Sequence, residues 1–544
     1  MLLQLLLQTA STFALVLVLA GWGSLFFGGK STARAEERGL AGIIVLFLLG
    51  AAANFFLPLS SWITAPVMVF GLVLSAYFHS RTRMFTWKGI FVFLGLSLLA
   101  TLISTSARPH IDTGLYHVPI IKWLVEDPIR PGLANIHERL GFNSAWHVAA
   151  AMLSLDGAKY FLPFTLSRAL GVLVLVFFLV EWRAMKREPD LPGVFSVLVL
   201  GFLCVSARGF SNELGTLSTD MPSAMLALVC MQYFIKLSRN ACSTVPRQML
   251  MILPVFAVTI KLTQSPVLLL GVFAVVMSKK IPATATVVAI STLALWCLRN
   301  LALSGCWFYP AALSCINTLP WTITTDHIGS TLQMITIRDP SDTVAAGQGG
   351  LTERWITGFL HSKMVLLLLL SFFSGCVLLA GFRRIPGTIF LLASAAAATG
   401  VVFWFVESPS IRFGISFLAA AAMLPLAQGL AWLFQRHRKP AGYFMHLAAP
   451  GAAAVLIIRA LAAFVPAAAT DSTDYRQWPH IEKTAVITRT SDYGVEITSS
   501  KTANQNCWDA PKPCAAFASA RIKSGRFFIW DYYAAGAADK STNP

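Results

Sequence analysis

Apolar stretches long enough to cross a lipid bilayer recur from one end of this chain to the other, broken only by short polar loops. A spanning helix needs about 20 apolar residues, fewer where protein surrounds it. About fourteen stretches meet that requirement, at roughly 5–29, 39–57, 64–79, 89–105, 161–181, 191–207, 221–236, 249–262, 265–278, 283–298, 360–381, 386–405, 414–434 and 443–465. The expected fold is therefore an all-α polytopic membrane bundle. Of the 544 residues only 12% are charged, about half the share of an ordinary soluble domain. The N-terminal stretch has no positive flank and no small-residue cleavage site, so it reads as a retained helix and not a signal peptide.

The formal net charge of +17 does not point to nucleic acid. The basic residues stand in short clusters between apolar runs, and these clusters fall at every second loop. Arg81, Arg83 and Lys88 share one loop, and Arg183, Lys186 and Arg187 the next such loop. Arg239 with Arg247, Lys279 with Lys280, Arg383 with Arg384, and Arg436 through Lys439 continue the alternation. Lys and Arg concentrate in cytoplasmic loops. The loops 106–160, 208–220, 299–359 and 406–413 and the C-terminal tail then lie outside, as does the N-terminus. That placement turns the polar chemistry away from the cytoplasm.

The organisation that follows has three parts: N-terminal helices over 1–88, a membrane core over 89–465 with outer loops 106–160 and 299–359, and an extracytoplasmic domain over 466–544. Within the tail, 484–488, 494–498 and Arg526–Trp530 alternate like strands, which predicts a small α/β or β cap. Cys507 and Cys514 flank a short segment with two prolines and suit a disulfide if the tail is outside the cytoplasm; Cys306 and Cys315 are a second candidate pair. Cys204, Cys230, Cys297 and Cys376 sit in apolar runs and read as small hydrophobes, while Cys242 belongs to a basic loop. No four-ligand zinc pattern is present.

The residues capable of chemistry gather in the outer loops. Asp112, with His110, Tyr116 and His117 beside it, reads either as a general base or as the N-cap of a short helix. His137, Glu138, Arg139, Asn143 and Trp146 mix polar tips with aromatic faces, as a sugar site does; an interfacial amphipathic helix has the same mixture. Asp220 opens a helix before Met221-Pro222, so it or Thr219 is a cap candidate as well as a catalytic one. Glu213 is a weaker candidate in the same loop. Lys261 interrupts two apolar segments and either faces a cavity or snorkels to the interface. Arg299 and Arg412 are outer-side cations that oppose the general charge trend. Both suit a phosphate or pyrophosphate, though Arg412 also has Glu407 as a potential ion-pair partner.

Taken together, Asp112-Thr113-Gly114-Leu115-Tyr116-His117, Ser218-Thr219-Asp220-Met221-Pro222, Arg299-Asn300 with Gly305-Cys306-Trp307-Phe308-Tyr309-Pro310, and Pro409-Ser410-Ile411-Arg412-Phe413 resemble the motifs of the GT-C class of membrane glycosyltransferases. The resemblance spans about residues 89–435. The strings at Arg139–Ser144 and Cys507-Trp508-Asp509 are similar to those of bacterial membrane proteins of this kind. The resemblance implies inverting transfer of a sugar from a polyprenyl-phosphate-linked donor in the membrane lipid to a hydroxyl of a glycan, lipid or protein acceptor, in a bacterial inner (cytoplasmic) membrane with the active site facing the periplasm or cell exterior. It implies catalytic candidates Asp112, Asp220 and Glu138, donor-phosphate candidates Lys261, Arg299, Arg412 and Tyr309, and sugar- or acceptor-binding candidates His110, Tyr116, His117, His137, Arg139, Asn143 and Trp146. Part of that class uses a divalent metal, but this chain has no Asp-x-Asp in its first outer loop to support one, and no other cofactor is implied. A transporter or flippase of lipid-linked sugars, or a glycan polymerase or ligase, fits the same residues.

Overall fold

A computed structural model of the chain describes residues 2–29, 31–104, 112–156, 161–184, 189–205, 213–240, 243–278, 281–336, 359–382, 384–437, 451, 454–455, 457–458, 460–462, 481, 484–501, 506–515 and 522–536. His110, Cys242, Lys186, Arg187, Lys279, Lys280, Arg383 and Lys439 lie outside the described residues, as does most of 443–465.

The fold is mostly helical. Its helices are α1 (Leu2–Phe27), α2 (Ala35–Asn54), α3 (Ser61–Thr82), α4 (Trp87–Ser104), α5 (Val118–Glu126), α6 (Ala145–Ala151), α7 (Phe161–Ala184) and α8 (Leu191–Val205). They continue with α9 (Asp220–Lys236), α10 (Thr244–Ile260), α11 (Leu268–Ser278), α12 (Ala283–Ser304), α13 (Thr325–Thr336), α14 (Lys363–Phe382), α15 (Thr388–Glu407) and α16 (Ile411–Arg436). Among the described residues, 8 helices are long and apolar enough to cross a membrane: α1, α3, α4, α7, α12, α14, α15 and α16.

The count of about fourteen spans is not confirmed among the described residues, and three of the departures have visible causes. The stretches expected at 249–262 and 265–278 form one bent unit, in which α10 ends before an extended Lys261 and a short 3-10 turn, Leu262–Val267, leads into α11. The helix α9 has 17 residues and begins and ends on the charged groups Asp220 and Lys236. The first turn of α2 carries Glu36, Glu37 and Arg38, all buried.

Helices on the periphery expose large apolar side chains: Phe91 is 70% exposed and Val377 71%. Contiguous exposed apolar surface of this kind marks a membrane- or protein-facing surface. The interior is filled by fully buried aromatics, including Phe47, Phe177, Phe195, Phe234 and Phe256, contributed by α2, α7, α8, α9 and α10. At the contact of α1 with α2 a Cβ on Gly23 would strike the Arg38 carbonyl, and one on Gly42 the Leu19 carbonyl. Small residues let two apolar helices approach this closely.

The tail forms two antiparallel hairpins, β1 (Val486–Thr490) with β2 (Glu496–Ser500), and β3 (Ile522–Phe527) with β4 (Trp530–Ala535). The strand expected at Arg526–Trp530 is instead the hairpin turn: Phe527 pairs with Trp530 across it. The second hairpin rests on the loops that follow α2 and α5. Trp530 Nε1 donates to the Phe55 carbonyl at 2.8 Å, and Tyr533 N to the Pro131 carbonyl at 3.0 Å. Disulfides join Cys507 to Cys514 and Cys306 to Cys315.

Polar groups collect at both ends of α9. At its C-terminal end, Glu181 accepts from Lys236 at 2.8 Å, Arg34 at 2.9 Å and Arg239 at 3.0 Å, and Arg239 also binds Asp190. At its N-terminal end stands Asp220. The two ends are separated by about 24 Å of helical rise.

Candidate functional site

Asp112 stands at the start of a short π-turn, Thr113–His117, that runs into α5. It makes no capping hydrogen bond. Its carboxylate instead takes Nη1 of Arg139, which comes from the 3-10 turn Glu138–Gly141. The two side chains are 15% and 26% exposed. Asp220 follows the same logic: the cap position of α9 belongs to Thr219, whose side chain makes no capping bond. The Asp220 carboxylate faces Lys261 and the Arg412 guanidinium, the latter at 3.7 Å. The break between α10 and the 3-10 turn is what turns Lys261 toward it.

Phe413 lies against both cations. Lys261 Nζ is 3.5 Å from its ring centre and Arg412 Cζ 4.7 Å. Cations over an aromatic face gain electrostatic attraction. Tyr116 joins the Asp112 group to the Asp220 group. The Arg139 guanidinium is 5.5 Å from its ring centre. Burial raises its phenol pKa well above the usual value, and the charges of Asp112 and Asp220 raise it further. Lys261 likewise senses Asp220, Arg412 and Asp112. Two carboxylates, three cations and one phenol thus share one partly open place, although they come from five separate regions of the chain.

The other expected residues form a wall behind this cluster or lie away from it. His117 is buried, its ring 5.0 Å from that of His147. His137 is buried and accepts from Arg139 N at 3.1 Å; burial lowers its pKa, so it serves as a neutral cap. Glu138 lies 3.6 Å from His137 through its carboxylate, and its carbonyl accepts from Tyr309 at 3.2 Å. Tyr309 is buried, also bonded to Thr331 at 3.2 Å. Asn143 is buried against α12, donating to the Trp296 carbonyl at 2.8 Å and accepting from Arg299 at 3.2 Å. Trp146 is 0% exposed. Arg299 is 3% exposed, with neutral asparagine oxygens as its partners.

The geometry thus joins Asp112, Tyr116, Arg139, Asp220, Lys261 and Arg412. It does not bring Arg299, Tyr309, Asn143 or Trp146 to them. Arg412, expected either at a phosphate or paired with Glu407, is found beside Asp220. Two groups were missed by sequence reasoning. His147 backs the cluster through Tyr116 and His117, with only its place in a polar-aromatic string to signal it. Trp508, in the disulfide loop, covers Gly114 and donates its backbone N–H to the Gly114 carbonyl at 2.8 Å. Among the described residues, no three His, Cys, Asp or Glu side chains stand together as a metal-ligand set.

The chain belongs to a family described as a domain of unknown function (DUF8201), whose model matches residues 1–419. The match contains every member of the cluster and ends before the tail. No curated protein and no solved structure matches the chain.

Proposed function

We propose that this protein is a membrane glycosyltransferase of the GT-C type, using a polyprenyl-phosphate-linked sugar at the outer face of a bacterial cytoplasmic membrane. One observation carries the proposal: Asp112 and Asp220 converge with Arg139, Lys261, Arg412 and Tyr116 at one end of a bundle of apolar helices. A lipid-linked donor brings its phosphate to the membrane surface, and Lys261 and Arg412 supply the cations to receive it. Asp220 faces both cations, and the donor phosphate takes over that contact. Guanidinium and ammonium groups fixed in a partly dry site stabilise charge that develops on a leaving group.

In the step itself an acceptor hydroxyl attacks the anomeric carbon. The bond from that carbon to the phosphate oxygen breaks, and its electron pair leaves on the polyprenyl phosphate. The hydroxyl proton passes to the Asp112 carboxylate, which Arg139 orients. Asp220 and Glu138 are the next candidates for the base. The acceptor is a hydroxyl of a cell-envelope glycan, lipid or protein.

The test is transfer from a panel of polyprenyl-phosphate sugars by the full chain in membranes. Asp112→Asn keeps size but cannot take the proton, so transfer falls by about 10²–10⁴-fold while donor binding persists. Arg412→Ala weakens donor binding itself. Wild-type transfer by Asp112→Asn removes Asp112 from the mechanism. Donor movement across the bilayer with no transfer by any variant or by the wild type favours the transporter reading.

A further inference from the structure

Arg299 is a buried cation with no carboxylate partner among the described residues. It lies in α12 at 3% exposure. Its Nε donates to Asn143 Oδ1 at 3.2 Å and its Nη1 to Asn54 Oδ1 at 3.0 Å. A guanidinium has five N–H donors, so most of its hydrogen-bonding capacity is left over. Among the described residues no carboxylate lies within 4.0 Å of it. Asp127, whose carbonyl accepts from Asn54, has its carboxylate engaged by Arg130 at 3.1 Å and by Lys512.

The two asparagines are fixed in the sense that presents oxygen to Arg299. Asn54 Nδ2 donates to the carbonyls of Leu57, Leu124 and Asp127, and Asn143 Nδ2 to that of Trp296. These oxygens satisfy hydrogen bonds, but they carry no net charge. The negative end of the α12 dipole acts within the last turn, and Arg299 precedes that turn. A buried charge is ordinarily paired, and one at membrane depth marks a site whose partner should be sought.

A cavity of about 30 Å³ adjoins Arg299, with Asn54, Asn143 and Ser144 on its polar side and Trp123 and Leu133 on its apolar side. Such a volume holds about two waters, or one small anion. The geometry points to a binding site for a single halide ion, chloride under ordinary conditions, held by the Arg299 guanidinium inside the bundle. This site is separate from the Asp112 and Asp220 cluster and does not depend on the function proposed for it. It assigns Arg299 a resident inorganic anion in place of a donor phosphate.

The test uses the full-length protein in detergent, exchanged between chloride, bromide and gluconate at constant ionic strength. Chloride and bromide should raise Tm saturably over gluconate, and bromide should give an anomalous scattering peak beside Arg299. Arg299→Gln should abolish the halide dependence. If that variant does not fold, Asn143→Asp supplies a built-in negative charge beside the guanidinium, and its Tm should no longer respond to chloride. Equal Tm for the wild type in chloride and gluconate, with no bromide peak, overturns the proposal. So does an Asn143→Asp protein that responds to chloride as the wild type does.

Discussion

The Asp220–Lys261 pair is the point at which the cluster can be tested without knowing any substrate. Three variants are needed: Asp220→Asn, Lys261→Met and the two combined. The side chains are 15% and 18% exposed, so the pair lies much nearer the buried limit than the exposed one. Removing one partner of a buried pair costs about 3–5 kcal/mol, whereas an exposed pair is worth about 0–1 kcal/mol. At this exposure a single substitution should cost about 2–3 kcal/mol. The two singles are not equivalent. Lys261→Met leaves Asp220 with Arg412 at 3.7 Å. Asp220→Asn leaves Lys261 and Arg412, both against Phe413, without the carboxylate that they share. Asp220→Asn should therefore be the more damaging. The double variant no longer has Lys261 stranded, so it should recover about 1–2 kcal/mol relative to the sum of the singles. Thermal unfolding of the purified protein in detergent gives the order, and a denaturant titration where unfolding is reversible gives the coupling. Additivity within about 0.5 kcal/mol, or a Lys261→Met protein less stable than Asp220→Asn, would refute this account of the site.

Acid should loosen the wall behind the cluster through His147. Burial pushes its pKa down to about 4 from 6.5, and since Nε2 faces the Leu217 carbonyl at 3.1 Å, the added proton would go to Nδ1, which has no partner among the described residues. The unfolded chain takes up that proton first, so the contribution is fully present above pH 6.5 and drains away toward pH 4. It is on the order of 3 kcal/mol, and Tm measured from pH 7 to 4.5 should fall less in His147→Gln than in the wild type. Gly114→Ala places a Cβ against the Trp508 indole and should cost about 1–3 kcal/mol; protease should then cut the tail faster, and unchanged digestion would mean that the tail is not seated there. Thiols introduced at Asp531 and near Arg239 should differ in intact cells, an impermeant reagent reaching the first and missing the second. Labelling of the second alone would invert the orientation on which the proposed function rests.

Much of the bundle was legible because apolar length is a local property. The interruption at Lys261, the charge at both ends of α9 and the grouping of chemistry in certain loops were all visible in the chain. Contacts were not. Arg139 read as a sugar-binding residue, yet its guanidinium holds Asp112, 27 residues away. Nothing in the spacing distinguishes these roles. Asn143 and Trp146 misled for a related reason. A string of polar and aromatic residues has the same pattern whether it faces a ligand or is hydrogen-bonded inside protein. Here α6 is buried all round, so the string became a wall. The tail hairpin hid its turn, because Phe528 takes φ 54 with no glycine or asparagine to announce it.

The two aspartates show what separates a capping residue from a site residue. Both occupy helix starts, where an aspartate is expected to satisfy orphan backbone donors. Asp112 makes no side-chain capping bond and Asp220 is not the cap residue; each carboxylate meets a cation supplied from elsewhere in the chain. A cap would have been satisfied within one turn and would have needed no distant partner. Asp220 instead depends on Lys261, 41 residues later, and on Arg412, which belongs to another helix. Holding three cations and two carboxylates this close costs desolvation that a capped helix avoids. Charge arranged at that cost in a partly open place suits a ligand that exchanges partners with it, and a phosphate meeting Lys261 and Arg412 is such a ligand.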